Sequence, residues 1–388
     1  MRPVVAMDLT FDVLGPLQMS VNGAPLPLAG AKQRAVLAML VINRNRPVSS
    51  DSLINAAWED VPPPDPRASL WAFVSNLRRL LATAGADPRT ILANAPPGYR
   101  LNLPDAACDL GRFGIYKTAG VQAAAAGHFE QARDHLTIAL TQWRGAVLDD
   151  LRDFRFVEAL APALTEDKLL AHTVRAEVDI ACGRADSVIA ELEALIVEHP
   201  YREPLWVQLI TAYYLAERQS DALDAYRRLK TALAEDLGID PGPVVRDLHE
   251  RILRQEPLDV KQSAKVTAQT LVTRIEQHTS VSTLSIRAHL RDPSGRCYPL
   301  AAVATSIGRF TDNDIVLDDP KVSRRHAVII DTGTGFVIND LRSANGVEVQ
   351  DQRIRGSAPL ARGYLVRIGG HQFTLDIAQL PANNVDPA

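Results

Sequence analysis

Cysteine is scarce: Cys108, Cys182 and Cys297 are spread over 388 residues, with no C-x-x-C pair and no histidines nearby. That excludes a disulfide framework and a cysteine zinc site, and the three read as small buried hydrophobes. Long apolar runs are missing too, since none approaches the roughly 20 residues that a bilayer requires. The short run from Pro3 to Met7 stops at Asp8 without a leader-cleavage pattern. A cytoplasmic chain with no membrane partner is expected. Absent as well are the phosphate loop G-x-x-x-x-G-K-[S/T], the nucleophile turn G-x-S-x-G, the zinc helix H-E-x-x-H and the dinucleotide fingerprint G-x-G-x-x-G. An enzyme therefore has no residues to stand on, and neither a cofactor nor a metal is expected.

What is present is an ordinary soluble composition, 46% hydrophobic and 23% charged, over a length that suits about two to three domains. The net charge of -4 conceals a division. Residues 1–104 hold 10 basic against 7 acidic side chains, 105–256 hold 17 against 26, and 257–388 hold 15 against 13. A basic start, an acidic middle and a balanced end suit three modules with different partners.

At the start, Leu9, Phe11, Val13, Leu17, Met19 and Val21 alternate with mostly polar neighbours, and Asn22-Gly23 supplies a two-residue hairpin turn. A dense apolar helix over Lys32 to Ile42 follows, then a second helix capped by Ser49 or Ser50. After a proline-rich loop, Leu70, Val74, Leu77 and Leu81 recur at helical spacing as a buried stripe. Arg67, Trp71, Ser75, Arg78 and Arg79 fall on the opposite face, with Asn76 beside them. Residues 91–103 read as two strands around a Pro-Gly turn, with Arg100 on the second.

Residues 105–256 lack strand alternation and form a helical array. Trp206, Leu209, Tyr213, Ala222 and Tyr226 fit tetratricopeptide spacing, and Leu192, Leu195 and Pro200 fall in register one repeat earlier. The acidic surface is a partner face or an aid to solubility. Residues 257–283 are polar and read as a linker with one helix over Val266 to Ile275. The tail from Pro381 reads as disordered.

From 284 to 380 short alternating runs separated by Gly, Asn, Asp and Ser predict a β-sandwich. Three signatures fall in its gaps: Gly308-Arg309, Ser323-Arg324-Arg325-His326 and Ser343-Ala344-Asn345-Gly346. A guanidinium, a hydroxyl and an amide on neighbouring loops suit a phosphate monoester on an extended peptide.

These signatures, in this order, resemble a forkhead-associated (FHA) domain, which implies an eleven-stranded sandwich that recognises phosphothreonine. By that resemblance Arg309, Ser323 and Arg324 face the phosphate and Asn345 holds the peptide backbone, while Gly308, His326 and Gly346 are structural. Val347 stands where that family usually has Thr. The first module, over 1–104, resembles the OmpR-type winged helix in the version found in the Streptomyces antibiotic regulatory protein family. The carrying strings are Ala68-Ser-Leu-Trp-Ala-Phe-Val-Ser-Asn-Leu-Arg-Arg-Leu-Leu and Pro97-Gly-Tyr-Arg-Leu. The third helix then enters the major groove, Arg78 and Arg79 meet phosphate or guanine, and Asn76, where that family often has Arg, could read adenine. The middle module resembles the bacterial transcriptional activation domain of the same regulators.

The fold class expected is therefore multidomain: an α/β winged helix-turn-helix, an all-α tetratricopeptide-like array and an all-β sandwich. The resemblance implies a DNA-binding activator tied to Ser/Thr protein kinase signalling. Its partners would be promoter DNA, a phosphothreonine protein such as a kinase, and RNA polymerase. A phosphopeptide scaffold that does not bind DNA is the alternative, and salt-dependent promoter binding separates the two.

Overall fold

The computed structural model describes residues 9–59, 61–283, 286–300, 304–310, 313–332, 335–354 and 356–379. They fall into two compact units. One gathers the described residues of 1–115, 141–167 and 274–388, the other those of 116–140 and 168–273.

In the first unit the N-terminal sheet is an antiparallel meander of Leu9–Asp12, Gln18–Val21 and Ala24–Pro25. Asn22 (φ 50°) and Gly23 (φ 78°) turn the hairpin in the left-handed region that these two residue types tolerate. Helices α1 (Ala31–Ile42), α2 (Ser50–Trp58) and α3 (Pro66–Thr83) follow. Ser49 caps α2 by accepting from the Ser52 amide at 3.0 Å. Asp65 caps α3 through the Ala68 amide at 2.9 Å, and Pro66 fills the first helical turn, where its missing N–H costs nothing. Leu70, Val74, Leu77 and Leu81 are all buried, as their spacing predicts. A three-stranded sheet of Val48–Ser49, Gly98–Leu101 and Leu92–Ala95 forms the wing. Gly98 is required there, because a Cβ would stand 2.0 Å from the Val48 carbonyl oxygen.

The same unit holds the sandwich. Its five-stranded sheet runs Ile315–Val316, Ala304–Gly308, Ala327–Asp331, Phe336–Asp340, Ser357–Leu360. The six-stranded sheet runs Gln352–Arg353, Val347–Val349, Leu365–Ile368, His371–Gln379, Ile286–Arg291, Cys297–Pro299. Ile307, Ile329, Ile338, Val347, Val366, Phe373 and Leu375 fill the space between the sheets. Val347 is fully buried, so the position where Thr is usual serves packing. Contacts between described residues join this sandwich to the rest of its unit. Arg46, beside the wing, meets Asp331 at 3.1 Å, and the Asn339 amide donates to the Ala159 carbonyl at 3.3 Å.

In the second unit helices Ala185–Glu198, Glu203–Leu215, Gln219–Leu237 and Pro243–Leu253 pack around Trp206, Leu209, Tyr213, Ala222 and Leu229. The Trp206 indole donates to the Pro200 carbonyl at 2.7 Å, which closes the turn before its helix.

Two readings need correction. Where a polar linker with one helix over Val266 to Ile275 was expected, the helix is longer and runs from Val260 to Thr283. Ala264, Ala268, Leu271 and Ile275 are buried along it at helical spacing, but two of the four are alanines, so the face is faint in hydropathy. Of the cysteines only Cys108 is buried; Cys182 is half-buried and Cys297 exposed. The tail from Pro381 lies outside the described residues. Among the described residues no helix is long and apolar enough to cross a membrane, and no group of three or more side chains could hold a metal.

Candidate functional site

The three signatures meet at one rim of the sandwich. Gly308 ends its strand so close to the next loop that a Cβ would lie 2.4 Å from the Arg324 carbonyl oxygen. That approach lets the Arg309 amide donate to the Ser323 carbonyl at 3.0 Å and the Phe310 amide to the Arg324 carbonyl at 3.1 Å. The side chains of Arg309 and Arg324 are left exposed. Arg324 lies over the Phe310 ring at 5.1 Å, whereas the Arg309 guanidinium has no hydrogen-bond or ion-pair partner among the described residues. A charged fork left free beside a hydroxyl is chemistry for an anion.

Ser323 joins the second loop to the third, since its hydroxyl accepts the Ala344 amide at 3.1 Å. His326 is fully buried beneath. Its Nδ1 accepts the Ser323 amide at 3.0 Å, which leaves Nε2–H to donate to the Gly346 carbonyl at 3.0 Å. The Asn345 amide donates to the Lys321 carbonyl at 2.7 Å, so its own carbonyl is left to accept. Gly346 (φ 75°) lies against Arg353, whose guanidinium a Cβ would meet at 2.4 Å.

One contributor was not singled out from the sequence. Asn313 is buried, and its amide donates both to the Phe310 carbonyl (2.8 Å) and to the Arg324 carbonyl (2.9 Å), clamping the first loop to the second. Its only sequence signal is a lone Asn in a loop.

On the winged helix Arg67, Trp71, Ser75 and Arg79 step along one line of α3. Trp71 is 64% exposed, Arg79 is exposed, and Arg67 makes only a long contact of 3.5 Å with Asp51. Ser75 and Asn76 are half-buried. Arg78 differs from the expectation of a DNA contact. Its Nε and Nη2 donate to the Leu92 carbonyl at 3.0 and 2.7 Å, and Nη2 also reaches Asn94 Oδ1 at 2.9 Å. Partial burial pushes its pKa below the ordinary arginine value, offset by Tyr99, over whose ring it lies at 5.8 Å. Arg78 thus braces the helix against the wing. Arg100 is half-buried on the wing, with its Nε enclosed and unbonded.

Comparison with known proteins agrees module by module. Residues 25–101 match the family model of the transcriptional regulatory protein C-terminal domain, 108–253 the bacterial transcriptional activator domain, and 305–369 the FHA domain. A winged helix, an activator-type helical array and an FHA sandwich in one chain define a DNA-binding transcriptional regulator. The chain is 66% identical over 375 residues to the transcriptional regulatory protein EmbR of Mycobacterium tuberculosis, covering 96% of this chain and 97% of that one. It is 53% identical over 260 residues to the transcriptional regulatory protein MoaR1 of Mycobacterium tuberculosis, over 67% of this chain and 84% of that one. A solved structure of Mycobacterium tuberculosis EmbR in complex with a low affinity phosphopeptide superimposes with a TM-score of 0.95 at 64% identity, covering 97% of this chain and 100% of that one. This chain belongs to the EmbR family of transcriptional regulatory proteins.

Proposed function

We propose that the chain binds a phosphothreonine-containing partner at the sandwich rim and promoter DNA through α3 and the wing, so that a Ser/Thr protein kinase signal reaches transcription. The observation that carries this reading is the exposed Arg309 guanidinium, without a partner among the described residues, on a loop whose backbone is hydrogen-bonded to Ser323, which in turn is tied to the third loop. A phosphate dianion placed there gains charge-assisted hydrogen bonds that a threonine hydroxyl cannot provide. Arg324 adds positive charge, and the free carbonyl of Asn345 suits the partner's backbone. That Mycobacterium tuberculosis EmbR was solved in complex with a low affinity phosphopeptide supports a phosphorylated partner for this chain. Arg67, Trp71, Ser75, Asn76 and Arg79 form the DNA face, with Arg100 on the wing. The functional modules are 1–104, 105–256 and 284–380, the middle one offering its acidic surface to RNA polymerase, and the chain works in the cytoplasm as a regulator without catalysis of its own.

The test is footprinting on genomic fragments with and without a phosphothreonine peptide, alongside fluorescence polarisation of that peptide and its unphosphorylated twin. Binding of both peptides with equal affinity overturns the phosphate assignment. Loss of salt dependence, or equal affinity for promoter and random DNA, favours the scaffold without DNA readout.

A further inference from the structure

The second unit contains a cavity of about 360 Å³, within the size range of small-molecule sites. Four helices that are distant in sequence build it, the start of Pro243–Leu253 closing one side with Pro243, Val244 and Val245. Thr173, Glu177 and Ile180 come from Arg155–Ala181, Val207, Gln208 and Thr211 from Glu203–Leu215, and Val260, Ser263 and Thr267 from Val260–Thr283. The wall is mainly apolar, yet three polar side chains within it are more than nine-tenths buried: Glu177 (7% exposed), Gln208 (8%) and Thr211 (8%). Glu177 has a single partner, the Thr267 hydroxyl, which donates to one carboxyl oxygen at 3.1 Å. The Gln208 amide and the Thr211 hydroxyl have no hydrogen-bond partner among the described residues. They are one helical turn apart, so they share a face.

Buried polar groups without partners are costly in a packed core, and here two, Gln208 and Thr211, converge on one space with a buried carboxyl that has a single donor among the described residues. The lining is also one-sided in charge. It holds two carboxyls, Glu177 and Glu203, and no Lys, Arg or His. Glu203 accepts the Gly242 amide at 2.9 Å and is only half-buried, so Glu177 is the buried carboxyl of the lining, with its second oxygen left without a donor among the described residues.

We propose that this cavity is a binding site for a small organic cation, an amine or amidinium on a compact apolar body, with Glu177 as counter-ion and Gln208 and Thr211 orienting it. The site is separate from the phosphopeptide rim and from the DNA face, and would give the helical module a metabolite input of its own. Burial supports the assignment by pushing the Glu177 carboxyl up to about 7, against the opposing Thr267 hydrogen bond. A cation favours the ionised form, so binding near neutral pH releases a proton.

The experiment is isothermal titration calorimetry on the full chain with benzamidine and cyclohexylamine, using benzamide and benzoate as neutral and anionic counterparts. The cations are expected to saturate a single site at least tenfold more tightly than benzamide, with benzoate weakest. Cation affinity should rise from pH 6 to pH 8, with an enthalpy that tracks the ionisation heat of the buffer. Glu203 is the other titratable group in the lining, and it already accepts the Gly242 amide, so Glu203→Gln is the control that should leave the pH dependence in place. Glu177→Gln should cut cation affinity at least tenfold, leave benzamide unchanged and remove the pH dependence. Thr211→Val should weaken both. Cations that bind no better than benzamide overturn the proposal on the wild-type chain alone. So does a Glu177→Gln chain that retains the cation preference.

Discussion

Replacing Arg78 with Ala separates a brace from a DNA contact. The Arg78 guanidinium places two donors on the Leu92 carbonyl and one on Asn94. Leu92 is fully buried, so its carbonyl loses donors that water cannot replace. A hydrogen bond with a charged partner contributes about 1.5 to 3 kcal/mol, and the partial exposure of Arg78 argues for the lower end, about 1 to 2 kcal/mol. Local opening of the wing should then become roughly 5 to 30 times more frequent. Hydrogen exchange of the amides in Leu92–Ala95 and Gly98–Leu101, followed on the full chain, reads this directly. Arg79→Ala is the control, since Arg79 is exposed. It should leave exchange unchanged and lower the salt slope of DNA binding by about 0.9. If Arg78→Ala leaves the wing as protected as before and lowers the salt slope by that amount, Arg78 is a phosphate contact and the brace is wrong.

Arg309→Ala should weaken phosphothreonine peptide binding by about ten- to a hundredfold in fluorescence polarisation with no change in melting, because the lost guanidinium is exposed and has no partner among the described residues. Ser323→Ala should weaken it comparably and also lower the melting temperature, since the Ala344 amide loses its acceptor. Asn76→Ala should relax base preference at one position of a randomised promoter set, and equal loss on specific and random DNA excludes base readout. Glu177→Gln should stabilise the chain at pH 8 by up to roughly 3 kcal/mol in urea denaturation. The carboxyl titrates near 4.5 when exposed and at about 7 when folded, so its contribution is full below 4.5 and lost as pH rises through 7. A gain that is as large at pH 4 contradicts that origin. Ala268→Leu, at a fully buried position in Val260–Thr283, should cost about 1 to 3 kcal/mol by overpacking, whereas a silent substitution means that this segment behaves as a loose linker.

The rim was legible because phosphate recognition uses Gly, Ser, Arg and Asn in gaps between strands, where few other demands fix those residues. Leu70, Val74, Leu77 and Leu81 were legible because four large apolar residues at helical spacing have one simple explanation. Periodicity shows which face a side chain occupies but not where a long flexible one ends, so Arg78 was grouped with Arg79 although only its neighbour is left free. The full extent of the helix over Val260–Thr283, beyond the expected Val266 to Ile275, was hidden because Ala264 and Ala268 are too small to mark a buried face, even though they are buried. Asn313 carried no pattern because its two acceptors are backbone carbonyls, whose positions no sequence displays. The cavity escaped for a similar reason, as Glu177, Gln208 and Thr267 come together only when three helices pack.

The interlocking of the three rim loops has a kinetic consequence. Asn345 holds Lys321, Ser323 holds Ala344, and His326 holds both Ser323 and Gly346 before any ligand arrives. Little ordering is left to happen on encounter, so association should proceed at rates set by diffusion and charge, and be similar for different phosphopeptides. Partners will then differ chiefly in how long they stay. The duration of a phosphopeptide signal at this regulator is in that case set by residence time, and a weakly held phosphopeptide gives a brief pulse where a tightly held one gives a memory.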